Sequence, residues 1–307
     1  MKVITPTVEI WKQYDGIDGV WRHIARCTRV CYQSERKKST DESDRDFVER
    51  VIFHAKPNHS EANHLSVLEH GTVYLTIPSK DVGLDGRADY YLMETLLHNK
   101  YSKHKIEYEN GMAIKYHITT NMRVLIENGL IQALKYVVSP TDYHYRRVTV
   151  LFTTNIGISR ETNRHRANSP SEESTRYCNY KGNLKVCPPV WMDDEDDLSN
   201  IPVEGFARDI CVNRVDEMWD AWDYYWFALK AAEFSYNNLI RLGWKPQQAR
   251  EVLPLATKTQ VVYTSFVEDW ERFFRLRGDG VSGAPHPNLK PLVLTLKEVF
   301  KKNGYTS

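Results

Sequence analysis

ETNRHRANSPSEESTRYCNY, residues Glu161 to Tyr180, is the most informative stretch of the chain. Three arginines, one histidine, three glutamates, two tyrosines and a series of Ser and Thr hydroxyls fall within it. A guanidinium fork grips a phosphate through two parallel N–H bonds, and hydroxyls with backbone amides complete such a cradle. Arg164, Arg166, Ser174 and Arg176 are therefore candidates to hold a nucleotide phosphate. Composition alone also allows a solvated loop in which Glu172 and Glu173 pair with Arg176.

Working outward, the stretch follows a strand pattern, Arg147 to Asn155, and an earlier strand pattern runs from Thr72 to Pro78. Helical spacing appears at Trp21 to Val30 and at Asp44 to His54. Between the two strands, Tyr90 to His98 and Met122 to Val137 have the apolar spacing of helices inserted into a connection, near residues 79–146. The longest helical pattern is Val215 to Leu242, where Trp219, Trp222, Trp226, Leu229 and Tyr236 recur every three to four residues. Gly243 ends it and Pro246 starts the next helix. That tryptophan-rich stripe is assigned to packing or to a subunit interface. The class expected is α/β (α+β), a mixed sheet with flanking helices, in a single domain over 1–307.

The spacing Arg-His-Arg, seven residues, then Ser, carried here by Arg164, His165, Arg166 and Ser174, resembles the signature of the flavin-dependent thymidylate synthases. Thr175, Arg176 and Tyr177 extend the match. Upstream, HLSVLEH (His64 to His70) is similar to the family segment that precedes a strand, and Ala25 to Tyr32 resembles its flavin-side helix end. Downstream, AREVLPL (Ala249 to Leu255) and WERFFRLR (Trp270 to Arg277) match two more family segments.

The resemblance implies a role for each of these positions. Arg164, His165 and Arg166 contact flavin adenine dinucleotide (FAD), with Ser66 and Glu172 nearby. Glu161, Arg164, Ser174, Thr175, Arg176 and Arg250 hold deoxyuridine monophosphate (dUMP), and Arg277 sits against the uracil. His64 and His286 belong to the folate side. Methylene-tetrahydrofolate and NADPH are the implied co-substrates, and the implied assembly is a homotetramer whose active sites are shared between subunits. Two departures stand out. Phe266, Glu268 and Arg272 occupy positions where the family often has Asn, Arg and Asn or His for flavin contacts, and extra residues separate Arg277 from His286.

Each implied role has a physical reason. Methylating uracil at C5 needs electron density there, and a guanidinium beside the ring stabilises the negative charge that develops. Arginine stays protonated at neutral pH, so Arg277 acts electrostatically rather than as a base. The hydride that completes the methyl group is cofactor chemistry. A thiolate adduct to uracil is not expected, because none of the five cysteines (Cys27, Cys31, Cys178, Cys187, Cys211) lies in the Pro-Cys context that the other thymidylate synthases use.

Whole-chain properties exclude several classes. The 307 residues carry 41 Lys and Arg against 40 Asp and Glu, a near-cancellation that gives no overall attraction to nucleic acid or anionic membrane. The cysteines contain no CxxC pair, so neither a disulfide framework nor a zinc ribbon is indicated. His64, Glu69 and His70 lack HExxH spacing, so no metal is expected. MKVITPTVEIW is unlike a leader, and no apolar run reaches the roughly 18 residues of a membrane span, so a cytoplasmic location is expected. Two other readings remain at this level: a related flavin enzyme acting at C5 of another pyrimidine nucleotide, or a nucleic-acid-binding protein gripping phosphates through Arg164 to Arg176.

Overall fold

The computed structural model describes residues 1–34, 41–53, 64–82, 87–206 and 219–306. In chain order the strands are β1 (Lys2–Val3), β2 (Thr7–Trp11), β3 (Thr72–Pro78), β4 (Lys103–Glu109), β5 (Met112–Asn121), β6 (Arg147–Asn155), β7 (Ser169–Glu172), β8 (Lys185–Val186) and β9 (Lys258–Phe266). The helices are α1 (Gly16–Tyr32), α2 (Asp44–Phe53), α3 (Arg87–His98), α4 (Met122–Glu127), α5 (Ile156–Thr162), α6 (Ala221–Arg241), α7 (Pro246–Ala249), α8 (Val267–Arg277) and α9 (Lys290–Lys302).

The mixed α/β class holds, with the strands divided among three sheets. The central sheet has the order β2-β6-β9-β7 and is antiparallel throughout. A second antiparallel sheet has the order β3-β5-β4, and β1 pairs with β8 in parallel.

Strand β6 shows why the central sheet is buried on both faces. Side chains alternate along a strand. Val148, Val150 and Phe152 join Tyr263 of β9 in a core closed by Trp270, Phe273 and Phe274 of α8 and Leu292, Leu296 and Phe300 of α9. Leu151, offset by one residue, packs instead with Trp11, Val262, and Cys27 and Val30 of α1. Trp270 is fully buried and its indole N–H donates to the Val148 carbonyl at 3.0 Å, so the largest apolar side chain of α8 also has its polar group satisfied. A separate core gathers α1, α2, β3, α3, β5 and α4 around Ile24, Leu68, Leu75 and Ile118.

The inserted stretch is not wholly helical. Helix α3 covers the expected Tyr90 to His98, but β4 and β5 form a hairpin across Asn110 and Gly111, whose φ values are 48° and 80°. Those left-handed values suit the tight two-residue turn that Asn-Gly favours. The helix expected over Met122 to Val137 is broken into α4 and a 3-10 turn, Ile131–Tyr136. Gly129 lies between them at φ 66°, a value that a continuous right-handed helix does not contain.

In the expected Val215 to Leu242 helix, Val215 and Met218 lie outside the described residues, as does His54 of the second expected helix. Helix α6 begins with a capping box, Asp220 accepting from the Trp222 and Asp223 amides and Asp223 accepting in return from the Asp220 amide. Gly243, at φ 96°, closes it as Trp244 N–H reaches the Leu239 carbonyl at 3.0 Å, and Pro246 opens α7. Trp226, Leu229 and Tyr236 are buried, as the packing assignment requires. Among the described residues no helix is long and apolar enough to cross a membrane.

Candidate active site

The signature stretch is held at three points. Asn155, the last residue of β6, caps α5 by accepting from the Ile158 amide at 2.9 Å. After α5 the chain turns, and β7 pairs with the edge of β9, placing Glu172 opposite Val261. Beyond β7, Ser174 N–H donates to the Cys31 carbonyl at the end of α1 (2.9 Å), and the Ser174 hydroxyl accepts from the Arg176 amide at 3.4 Å.

The two neighbouring glutamates have separate tasks. The Glu173 side chain is completely covered, ion-paired with Lys258 at 2.8 Å, and also accepts from the Tyr180 hydroxyl at 2.7 Å and from the Gln33 amide. Glu172 accepts from the Ser159 hydroxyl at 2.6 Å, the Thr259 hydroxyl at 3.2 Å and the Asn163 amide at 3.2 Å. The salt-bridged surface loop that composition allowed is therefore not formed: neither carboxylate pairs with Arg176, which is exposed against the Tyr177 ring.

A cleft of about 550 Å³ collects Glu172, Ser174, Thr175, Arg176 and Arg250, and adds Arg160. Its volume lies within the roughly 300 to 1,000 Å³ usual for small-molecule sites. Arg250 Nη1 donates to the Thr175 hydroxyl at 3.4 Å, and its Nε lies 3.7 Å from Glu251. Among the described residues, Arg160 and Arg176 have no carboxylate within ion-pair distance. Their charge is therefore available to an anion. Sequence reasoning passed over Arg160, which lies on α5 just before the signature residues and faces the cleft through the fold rather than through any local motif.

Glu161, Arg164 and Arg277 form a second group. Arg277 reaches Glu161 twice, Nη1 to Oε2 at 3.3 Å and Nη2 to the carbonyl at 3.2 Å, while Arg164 stands 4.0 Å from the same carboxylate. Glu161 and His286 line another cleft, of about 650 Å³, walled by Trp191, Trp222 and Tyr225. Trp222, part of the stripe assigned to packing or to a subunit interface, thus also lines a cleft. The two clefts flank α5 and share Leu255.

The remaining expected residues lie apart from both clefts. His165 is buried, with Nε2 against the Asp269 carbonyl at 3.2 Å and its ring edge-on to Phe273, and burial lowers its pKa. The imidazole is therefore neutral at pH 7 and pins the loop to α8. Arg166 is exposed beside it. His64 and Ser66 are exposed at the start of the 3-10 turn Leu65–His70, His64 with φ 67°. His70 is wholly buried between the Thr264 and Ser171 hydroxyls, each at 2.8 Å, and Glu69 pairs with Arg123 at 2.5 Å. At the departing positions, Phe266 is buried with Lys103 Nζ 4.5 Å from its ring centre, and Glu268 pairs with Lys103 at 3.2 Å.

The chain is similar to several known proteins. The profile of the family described as thymidylate synthase complementing protein matches residues 109–298. Proteins named flavin-dependent thymidylate synthase from Mycobacterium bovis and Mycobacterium tuberculosis are 35% identical over 127 residues, 39% of this chain and 46% of theirs. The chain thus spans about half the length of the curated relatives it matches. A UMP/dUMP methylase, PolB from Streptomyces cacaoi, solved with 5-Br dUMP, aligns over 98% of this chain and 93% of its own at 15% identity and a TM-score of 0.42.

Proposed function

This chain belongs to the thymidylate synthase complementing protein family, the flavin-dependent thymidylate synthases, and on that premise we propose that it methylates C5 of dUMP. The carbon would come from methylene-tetrahydrofolate and the hydride from reduced FAD. The observation that carries the reading is the cleft that gathers Ser174, Thr175, Arg160, Arg176 and Arg250, where among the described residues Arg160 and Arg176 have no carboxylate within ion-pair distance. Arg176, Arg160 and Arg250 neutralise the nucleotide phosphate, while the Ser174 and Thr175 hydroxyls orient it.

Arg277 is the catalytic group of this proposal. Held on two sides by Glu161, its guanidinium has a fixed orientation, and a preorganised cation costs no rearrangement when charge develops on the uracil ring. Glu161 is the positioning residue. The thiols support a route without a cysteine adduct: burial pushes Cys178 and Cys187 up to about 12 and raises Cys27 and Cys31, so these four are protonated and poor nucleophiles at pH 7.

The residues fit a flavin dinucleotide at one end. Arg164 and Arg166 are both exposed and suit its diphosphate, His165 fixes the loop that carries them, and Ser66 and Glu172 offer further polar contacts. When bound, the reduced flavin supplies the hydride that converts the transferred methylene to methyl. NADPH is the proposed reductant, and His64 and His286 are proposed for the folate side.

A homotetramer in the cytoplasm is proposed as the working form. Its support is the split site: phosphate-binding residues lie on one flank of α5 and Arg277 with Glu161 on the other, so a neighbouring copy is a natural source of the missing half. The deciding experiment supplies dUMP, methylene-tetrahydrofolate, FAD and NADPH together and measures thymidylate, with UMP and deoxycytidine monophosphate in parallel. Product from dUMP supports the proposal. Product only from another pyrimidine nucleotide reassigns the substrate, and DNA binding by a colourless protein without product overturns it.

A further inference from the structure

A third cleft, of about 290 Å³, opens between the end of β2 and the starts of β3 and β6, away from the signature stretch. Its walls carry three cations, Lys12, Arg146 and Arg147, and one carboxylate, Asp15, so the lining has a net charge of +2. Asp15 already accepts from the Ser139 hydroxyl at 2.7 Å.

Arg147 is the unusual member. Its Nη1 donates to the Glu69 carbonyl at 3.0 Å and to the Thr72 hydroxyl at 3.3 Å, both uncharged acceptors. Its Nε is buried without an acceptor, and no carboxylate lies within ion-pair distance among the described residues. The Phe266 ring, 5.5 Å away, is a weak counterpart for a half-buried guanidinium. Burial accordingly lowers the Arg147 pKa to about 10, which still leaves it charged at pH 7. On the same cleft the Trp11 indole N–H is also buried without an acceptor. A wall with excess positive charge and too few acceptors is chemically complementary to an acceptor-rich anion.

We propose that this cleft is an oxyanion site for a phosphate-type dianion, held by Arg146, Arg147 and Lys12 and separate from the cleft around Ser174. A dianion matches the net charge of the lining, which a single carboxylate would only half neutralise. The phosphate is either free or part of the diphosphate of a dinucleotide, and the test separates the two.

The test follows thermal unfolding of the protein as purified against inorganic phosphate, with chloride at matched ionic strength. It uses an Arg176→Ala/Arg250→Ala background so that the Ser174 cleft is disabled. The expected result is a saturable rise in Tm in this background, lost when Lys12→Gln and Arg146→Gln are added. Both of those side chains are exposed, so the fold does not depend on them. Arg147→Gln should abolish the rise as well. A rise unchanged by Lys12→Gln and Arg146→Gln, or absent from the Arg176→Ala/Arg250→Ala background, overturns the proposal. So does a change in oligomer mass on Arg147→Gln without any phosphate effect, because the cleft would then be a contact between copies. Adding saturating NADP+, whose diphosphate has no other assigned site, separates the sources: a phosphate response that disappears marks a dinucleotide diphosphate, and one that persists marks free phosphate, either of which upholds the site. Measuring dUMP affinity in the Arg176→Ala/Arg250→Ala protein keeps the outcomes distinct, since unchanged affinity defeats the nucleotide assignment and leaves this one standing.

Discussion

Replacing Lys258 with methionine isolates the pair that fixes the backbone between β7 and Ser174. The Glu173 carboxylate is fully covered, the Lys258 side chain is 10% exposed, and the two meet at 2.8 Å. Removing one partner of such a pair strands the other charge out of water, at a cost of about 3 to 5 kcal/mol. Lys258→Met leaves the Tyr180 and Gln33 donors on Glu173, so its cost belongs near 3 kcal/mol, the lower end of that range. Glu173→Leu removes the acceptor for three donors at once and belongs near 5 kcal/mol or above. At about 2 °C per kcal/mol for a chain of this size, the expected falls in Tm are roughly 6 °C and 10 °C.

Circular dichroism melting of the two single variants and the double variant checks this. The double variant should lose less than the sum of the singles, because neither charge is then left alone. Falls below about 2 °C in both singles would refute the reasoning by showing that solvent screens the pair. Glu172→Gln, by contrast, keeps an oxygen for the Ser159 and Thr259 hydroxyls, losing only the exposed bond from Asn163, and should leave Tm nearly unchanged.

Three further outcomes are expected. Arg176→Ala should weaken dUMP binding by about 1.5 to 3 kcal/mol, the worth of a hydrogen bond to a charged group, with flavin binding unchanged; calorimetry giving equal dUMP affinity would remove Arg176 from the site. Arg277→Ala should slow methyl transfer roughly a hundredfold or more, as loss of an oxyanion donor does, with Arg277→Lys restoring only part because it lacks the planar fork. Single-turnover flavin reoxidation with near-normal rates in the alanine variant would defeat that role. Burial holds His23 and His70 neutral, with pKa lowered from 6.5 to about 3 in the folded chain. Their stability contribution is therefore complete above the unfolded pKa and is lost as pH falls from about 6.5 toward 3, by up to about 1.4 kcal/mol per pH unit for each. Melting curves between pH 7.5 and 4.5 should show His70→Gln with a shallower acid dependence than the unmodified protein, and identical slopes would contradict the assignment.

The sequence was legible where local chemistry and periodicity agreed. Helix α6 is such a case: its stripe, its terminating Gly243 and the following Pro246 each act within a few residues. The hairpin β4–β5 was not legible despite a usable signal, Asn110-Gly111, because the apolar spacing of Tyr90 to His98 and Met122 to Val137 on either side is helical. Gly129 likewise marked the break that separates α4 from its 3-10 turn. At the site, residue types and spacing singled out Ser174, Arg176 and Arg250, yet Arg250 meets Thr175 only through tertiary folding, so the resemblance and not the spacing linked them. The division of labour between Glu172 and Glu173 had no local signal. It is set by Lys258 and Thr259 on β9, whose neighbouring side chains point to opposite faces of the sheet.

The inserted hairpin and the unusual residues at the start of α8 are two parts of one structural feature. Glu268 stands where the resemblance leads one to expect a cation, and an isolated carboxylate there would repel the phosphates of a dinucleotide. Lys103, the first residue of β4, places its ammonium 3.2 Å from Glu268 and 4.5 Å from the centre of the Phe266 ring. The pair is partly exposed and contributes little stability by itself. Its effect is on charge: the hairpin brings a lysine to the position and offsets the carboxylate. Arg147, paired with Phe266 across β6 and β9, has no carboxylate within ion-pair distance among the described residues, so β6 adds a further cation to the one the hairpin brings. The connection between β3 and β6 therefore determines the electrostatics of this face, and a chain without the hairpin would need a different residue at position 268 to present the same charge.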